Sequence, residues 1–225
     1  MVESSKQVES ETYYYSLGLV ESPSGKRHSS STPRILSILS SVIERAIQKN
    51  EYFSKTTTSR KNDVVTIFHS SRAPNVSIRQ YLERIFKYSS CSPSCFVVAY
   101  IYLDRFLHRT NSVCLTSLNV HRLLITSILV AAKFVDDECY NNAYYAKIGG
   151  ISTAEMNKLE MDFLFTLEFK LHVTTEVFRN YCFQLDMEGG AAAEEYRMII
   201  QAFETKPGRL NGDGTSMAGY GCRVV

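Results

Sequence analysis

Two charged residues stand where the sequence pattern asks for apolar ones, and they are the first candidates for chemistry. Glu160 lies between Leu159 and Phe163, one turn after Met156 and one turn before Leu164, so its carboxylate falls within the apolar stripe of its helix. Lys133 has the same peculiarity in Val130-Ala131-Ala132-Lys133-Phe134-Val135. A charge in such a place needs a partner. The two could pair with one another, or together offer a polar handle to a binding partner ringed by apolar side chains. The alternative is that Lys133 snorkels at a helix end and Glu160 tilts into solvent. Asp104 poses a similar question, because it follows Tyr102-Leu103 on an otherwise apolar helix. A salt bridge to an upstream arginine, Arg79 or Arg72, would explain it, and a solvated helix face is the alternative.

Reactive constellations are not found. The sequence has no phosphate-binding glycine loop, no GxSxG elbow and no HExxH. The five histidines, at 28, 69, 108, 121 and 172, are scattered, and none is spaced to serve a nucleophile. Cys91 and Cys95, four apart, can share one side of a helical turn, but zinc wants four ligands and no matching second pair stands nearby in sequence. Cys91 as a loop thiol and Cys95 as a small core residue is the reading adopted. The expectation is therefore a protein that is not an enzyme, with no cofactor and no metal.

Helices must position these charges. The chain has 225 residues, 44% hydrophobic against 21% charged, which suits one globular domain. A net charge of +2 supplies no field to recruit nucleic acid or anionic membrane, so neither is expected as a partner. No run of about 18 apolar residues is present to span a bilayer, and no secretory leader is evident. The six cysteines are read as reduced thiols and the protein as intracellular, in the nucleus, the cytoplasm or both.

Residues 1–32 are Ser-rich and read as a disordered tail, and residues 205–225, Gly-rich, as a flexible one. Between them, Thr32-Pro33 opens a helix with Ile35, Leu36, Ile38, Leu39, Val42 and Ile43 on one stripe. Asn50 to Asn62 reads as a loop, and the state of Val64, Val65, Ile67 and Phe68 is ambiguous. Ser77 with Gln80, and Ser152 with Glu155, have capping-box spacing; Ser92-Pro93 starts another helix. Thr116 and Asn119 are candidate caps for Val120 to Val135, which is apolar nearly all round and belongs in the centre of a bundle. A short helix at 143–148 stops at Gly149-Gly150, Thr174-Thr175 caps a further one, and Ala191 to Glu204 reads as peripheral helix. The fold class is all-α.

At this point the sequence resembles a known family. Leu103-Asp104-Arg105-Phe106-Leu107, then Val130-Ala131-Ala132-Lys133-Phe134, then Leu159-Glu160 followed by Leu167-Glu168-Phe169, in this order, resemble the cyclin box. Ser77-Ile78 with Tyr81-Leu82 and Ile85, and Leu118-Asn119-Val120-His121-Arg122-Leu123, are most similar to the P-type (U-type) cyclins of plants. The resemblance implies a five-helix cyclin box around a central apolar helix, over residues 74–185. It would be flanked by an N-terminal helix and connecting segment at 33–73 and a peripheral helix at 186–204. It implies a regulatory subunit that binds and activates a cyclin-dependent serine/threonine kinase, in the cell cycle or in phosphate and nutrient signalling. The implied kinase contacts are Lys133, Phe134, Glu160, Leu164, Phe169 and Leu171. A cyclin-fold adaptor for transcription factors or nucleic acid is the alternative. Two departures stand out. Tyr81 occupies the place of the tryptophan that helps cell-cycle cyclins dock substrates, and Asn75 stands where the family has the arginine that pairs with the Asp104 equivalent. With 40 residues after 185, a single box is expected.

Overall fold

The computed structural model describes residues 13–20, 32–56, 64–110 and 113–190. After a helical turn at 13–17, seven helices follow: α1 (Arg34–Thr56), α2 (Ile78–Ser89), α3 (Pro93–Thr110), α4 (Val120–Val135), α5 (Asn142–Gly149), α6 (Thr153–Thr166) and α7 (Thr175–Gly189). Among the described residues there is no strand. The all-α fold is as expected, with α2 to α6 as the five helices of the box and α1 and α7 flanking them.

The centre is a helix pair. α3 and α4 form the most extensive contact in the molecule; α4 also packs on α2, α5 and α6, and α3 on α1, α6 and α7. Both helices are buried on nearly every side, α3 without interruption from Cys95 to Asp104 and α4 from Leu123 to Ala132. Phe106 of α3 stacks on Phe163 of α6 at 5.0 Å, and Phe68 closes on Phe106 edge-on at 5.0 Å. Burial of such a side chain contributes on the order of 2 to 3 kcal/mol, and each ring pair about 1 kcal/mol more. Phe68 thus anchors the ambiguous segment, while Val64, Val65 and Ile67 stay exposed.

Helix ends follow sequence signals in part. Ser77 and Gln80 form a complete capping box on α2. Ser92 Oγ accepts from the Cys95 N–H at 3.2 Å, and Thr174 Oγ1 from the Val177 N–H at 3.2 Å. Gly150, left-handed at φ 73°, ends α5. Gly149 must be small as well, because a Cβ there would meet Ile125 Cγ1 at 3.0 Å.

Other signals were overridden. Ser152 Oγ accepts from the Glu155 N–H at 3.1 Å, but the Glu155 carboxylate pairs with Arg122 of α4, leaving the second box half-made. Asn119 makes no side-chain cap, since its Oδ1 accepts from the Thr116 N–H at 2.9 Å and its Nδ2 donates to the Cys114 carbonyl at 2.8 Å. The expected loop at 50–62 is helical through Thr56: Asn50 Nδ2 donates to the Leu115 carbonyl and Glu51 Oε1 accepts from the Ser117 N–H, so tertiary bonds carry α1 past its apolar stripe.

The expected tail at 1–32 is also interrupted by structure. Leu17 is fully buried, Ser16 Oγ donates to Asp186 Oδ1 at 2.6 Å, and Arg34 donates to Ser16 Oγ at 2.5 Å and to the Gly189 carbonyl at 2.6 Å. The boundary expected at 185 falls inside α7, which runs on to Gly189. The helix expected at 191–204 and the tail at 205–225 lie outside the described residues. Cys91, Cys95, Cys139 and Cys182 are free thiols, whereas Cys114 is disulfide-bonded, against the expectation for that residue. Among the described residues no helix is long and apolar enough to cross a membrane.

Candidate functional site

Lys133 sits in the last turn of α4 and Glu160 in the middle of α6, and the packing of α4 on α6 brings the two together. Lys133 Nζ donates to Glu160 Oε1 at 2.6 Å. The lysine side chain is 37% exposed and the carboxylate only 12%, so the pair lies at the rim of the core with the acid on the inner side. The second carboxylate oxygen, Oε2, accepts from Asn142 Nδ2 at 2.6 Å, and Asn142 also donates to Asn157 Oδ1 at 2.8 Å. Both acid oxygens are therefore hydrogen-bonded, as a polar group placed on an apolar stripe requires.

Several large apolar side chains on the same two helices or just after them are exposed or half-buried. Phe134 follows Lys133 and is 53% exposed; Phe169 is 54% exposed, and its ring meets the exposed Phe165 edge-on at 5.4 Å. Leu164, one turn after Glu160, and Leu171 are half-buried.

Phe169 is held in place by unusual backbone. Glu168 and Phe169 both adopt left-handed φ, 52° and 55°, a conformation that costs about 1 kcal/mol or more per non-glycine residue. Compensation comes from α3: Tyr102 Oη donates to the Leu171 carbonyl at 2.7 Å, and Arg105 Nη1 donates to the carbonyls of Lys170 at 3.1 Å and His172 at 3.2 Å. Glu168 bridges Lys170 at 2.5 Å and Arg109 at 2.6 Å, and these cations, Lys170 first, hold its carboxyl below the usual range. Arg105 and Leu171 also line a groove of about 670 Å³ with Asp104, His108 and Phe169.

Asp104 is placed differently from the sequence expectation. Its residue is buried, and Oδ2 accepts from Tyr181 Oη of α7 at 2.6 Å, while Oδ1 faces His108 Nδ1 at 3.4 Å. Arg79 pairs instead with Glu83 on its own helix at 3.0 Å, and Arg72 is exposed in the segment before α2. The arginine bridge is therefore absent, because this face of α3 packs on α7 rather than on α2. Burial first, and then the bond to Asp104, push the Tyr181 phenol above its usual range, so it stays protonated and donates. Tyr81 is buried too, edge-on to His121 at 4.9 Å, and offers no surface ring.

Sequence reasoning found Lys133 and Glu160 and missed Asn142, Phe165 and the Tyr102–Arg105 scaffold. Asn142 carried one usable signal, a polar amide at the start of a helix already capped by Asn141.

Residues 32–171 match the family model for cyclins. The chain belongs to the cyclin family. This cyclin is 53% identical over 186 residues to cyclin-P3-1 of Oryza sativa subsp. japonica, covering 83% of the chain and 76% of that protein. It is 56% identical over 155 residues to cyclin-U4-1 of Arabidopsis thaliana, covering 69% of the chain and 76% of the relative. It is 49% identical over 175 residues to cyclin-U3-1 of the same plant, covering 78% and 76%. The kinship to plant P- and U-type cyclins is thus as the sequence motifs implied. The span matched to the family takes in Lys133, Glu160 and Leu171 and ends before α7, so it contains Asp104 but not Tyr181.

Proposed function

We propose that this cyclin is the regulatory subunit of a cyclin-dependent serine/threonine kinase, acting in cell division or in phosphate and nutrient signalling, inside the nucleus, the cytoplasm or both. The observation that carries the reading is the Lys133–Glu160 pair, fixed by Asn142, with exposed Phe134 next to Lys133 and exposed Phe165 and Phe169 at and just after the end of α6. A satisfied ion pair together with exposed aromatic rings has the composition of an interface hot spot, with the rings as anchors and the charges fixing register.

Lys133, Phe134, Glu160, Leu164, Phe169 and Leu171 are the proposed contacts. Lys133 keeps donor capacity beyond its bond to Glu160, which leaves it able to hold a backbone carbonyl of the kinase. Activation then needs no chemistry from the cyclin itself. Tighter binding to the active arrangement of the kinase shifts its population, and a shift from 1:99 to 99:1 takes about 5.5 kcal/mol of differential affinity. An interface with several buried aromatic anchors is of the right order to supply it.

The test is affinity capture with the full chain from extract of dividing cells. The expected result is a co-purifying cyclin-dependent kinase, lost with Lys133→Ala and with Glu160→Ala while the helical circular dichroism is unchanged. Equal kinase capture by both variants overturns the assignment of the site. Capture of DNA-associated factors and no kinase supports an adaptor instead.

A further inference from the structure

Sulfur and acidic donors gather where α3 begins and α4 ends. Cys91 and Cys95 lie on either side of Ser92, the residue that caps α3, and Asp136 is the C-cap of α4. One donor atom from each, two Sγ and a carboxylate oxygen, lie within 4.8 Å of one another. Both thiols are buried, Cys95 completely. Three residues beyond Asp136 comes Cys139, an exposed free thiol that lies outside this cluster. Folding thus joins the Cys91-x3-Cys95 pair to Asp136, which lies 41 positions beyond Cys95 in sequence.

We propose that Cys91, Cys95, Asp136 and Cys139 form a structural zinc site. The donor set is three sulfurs and one carboxylate, which suits zinc over the oxygen-seeking cations. Tetrahedral zinc with Zn–S near 2.3 Å places its sulfurs about 3.8 Å apart, so the three inner donors need to close by only about 1 Å. Cys139 lies outside the three-donor cluster, and the loop after Asp136 would have to carry it in as the fourth ligand. Outer partners are already present. Both Asp136 oxygens are bound by Ser92, through its N–H at 3.2 Å and its Oγ at 2.7 Å, and Tyr145 Oη lies 2.9 Å from Cys91 Sγ, placed to donate to a thiolate. The weak bond from Cys95 Sγ to the Ile128 carbonyl at 3.8 Å is the one given up on binding.

Zinc is bound by thiolates, so its uptake here releases the thiol protons to solvent. The loop so fixed runs between Lys133 and Asn142, the two residues that hold Glu160. Zinc occupancy would thus set the geometry of that pair, although the metal site itself does not depend on the kinase reading.

The experiment uses the full chain, purified with its thiols reduced, with bound zinc measured by mass spectrometry and Co²⁺ titrated as a visible probe. The expected result is one zinc per chain, and a tetrahedral cobalt spectrum with thiolate charge-transfer bands. Cys91→Ser and Cys139→Ser are expected to weaken binding by about 100-fold or more, beyond the loss from an outer-shell partner, and Cys182→Ser, at a buried thiol on α7, to leave it unchanged. These two serine variants keep the test valid if Cys95→Ser fails to fold. A wild-type chain that takes up no stoichiometric zinc or cobalt overturns the proposal, as does undiminished binding by Cys91→Ser.

Discussion

Asp104 and Glu160 are the same event in the sequence, an acidic side chain on the apolar face of a helix, and the fold resolves them in opposite directions. Asp104 turns inward. Its partners are Tyr181 and His108, which belong to the same packed unit, and α7 lies across it. Glu160 stops at the rim, where its partners are a lysine more than a third exposed and an asparagine. The first arrangement joins two helices of one chain. The second leaves a polar pair at the rim, partly open to solvent, where a partner could reach it. A displaced charge is thus a signal of partnership, and only the environment of its partner says whether the partnership is internal or external.

The sharpest way to break this comparison is to exchange the expected phenotypes. Glu160→Ala is expected to weaken kinase binding by about 2 to 4 kcal/mol, ~30- to 1000-fold, as for a central hot-spot residue. Its urea midpoint should move by no more than a surface pair allows, about 1 kcal/mol, because Lys133 and Asn142 can turn to water. Calorimetric titration against the kinase and urea unfolding measure the two quantities. Asp104→Ala is expected to do the reverse. Stability should fall by about 2 kcal/mol, since the half-buried Tyr181 hydroxyl loses a charged acceptor, while kinase affinity stays within a factor of two or so. If Asp104→Ala costs affinity and Glu160→Ala costs stability, the inward and outward assignments are wrong.

How much of this was legible in the sequence depends on how far each partner lies along the chain and what competes for it. The helix stripes, the Ser77–Gln80 box and the Gly150 stop rest on contacts within four residues, and they were readable as written. Lys133 and Glu160 were readable as misplaced charges, because the apolar pattern around them is strong. Glu155 shows the limit: its spacing from Ser152 is right for a capping box, but Arg122 of another helix offers a full charge and takes the carboxylate. The same holds for Leu17, whose short segment looks polar and tail-like until α1 supplies Arg34 and α7 supplies Asp186 to bind the neighbouring Ser16 side chain. Phe169 was named through family resemblance, whereas its left-handed backbone and its anchoring by Tyr102 and Arg105 are tertiary facts with no local signature.

Tyr181→Phe sharpens the inward side. Removing the hydroxyl while keeping the ring should cost about 1 kcal/mol at pH 7, less than loss of the carboxylate. Its pH dependence has a definite sign. The phenol is held above its usual range in the fold, so its contribution is present below about pH 10 and lost as pH rises beyond it, where the unfolded chain ionises first. Each such group steepens the alkaline loss by at most about 1.4 kcal/mol per pH unit, and less here because the phenol is only half-buried. Urea midpoints between pH 9 and 11 should therefore fall less steeply in the phenylalanine variant. An equal slope would mean that the fold does not hold the Tyr181 phenol above its usual range.

Arg79→Ala carries the smallest expected effect and tests the reading that the sequence suggested. Were Arg79 the partner of Asp104, its loss would strand a buried carboxylate and cost several kcal/mol. In the fold it reaches Glu83 one turn along α2, with the arginine side chain 64% exposed, an exposed i,i+4 pair of the kind worth about 0.3 to 0.5 kcal/mol. Unfolding in urea at low ionic strength should show a change of about that size, and added salt should erase it. A loss comparable to that of Asp104→Ala, insensitive to salt, would return Arg79 to the core and place Asp104 against α2 rather than α7.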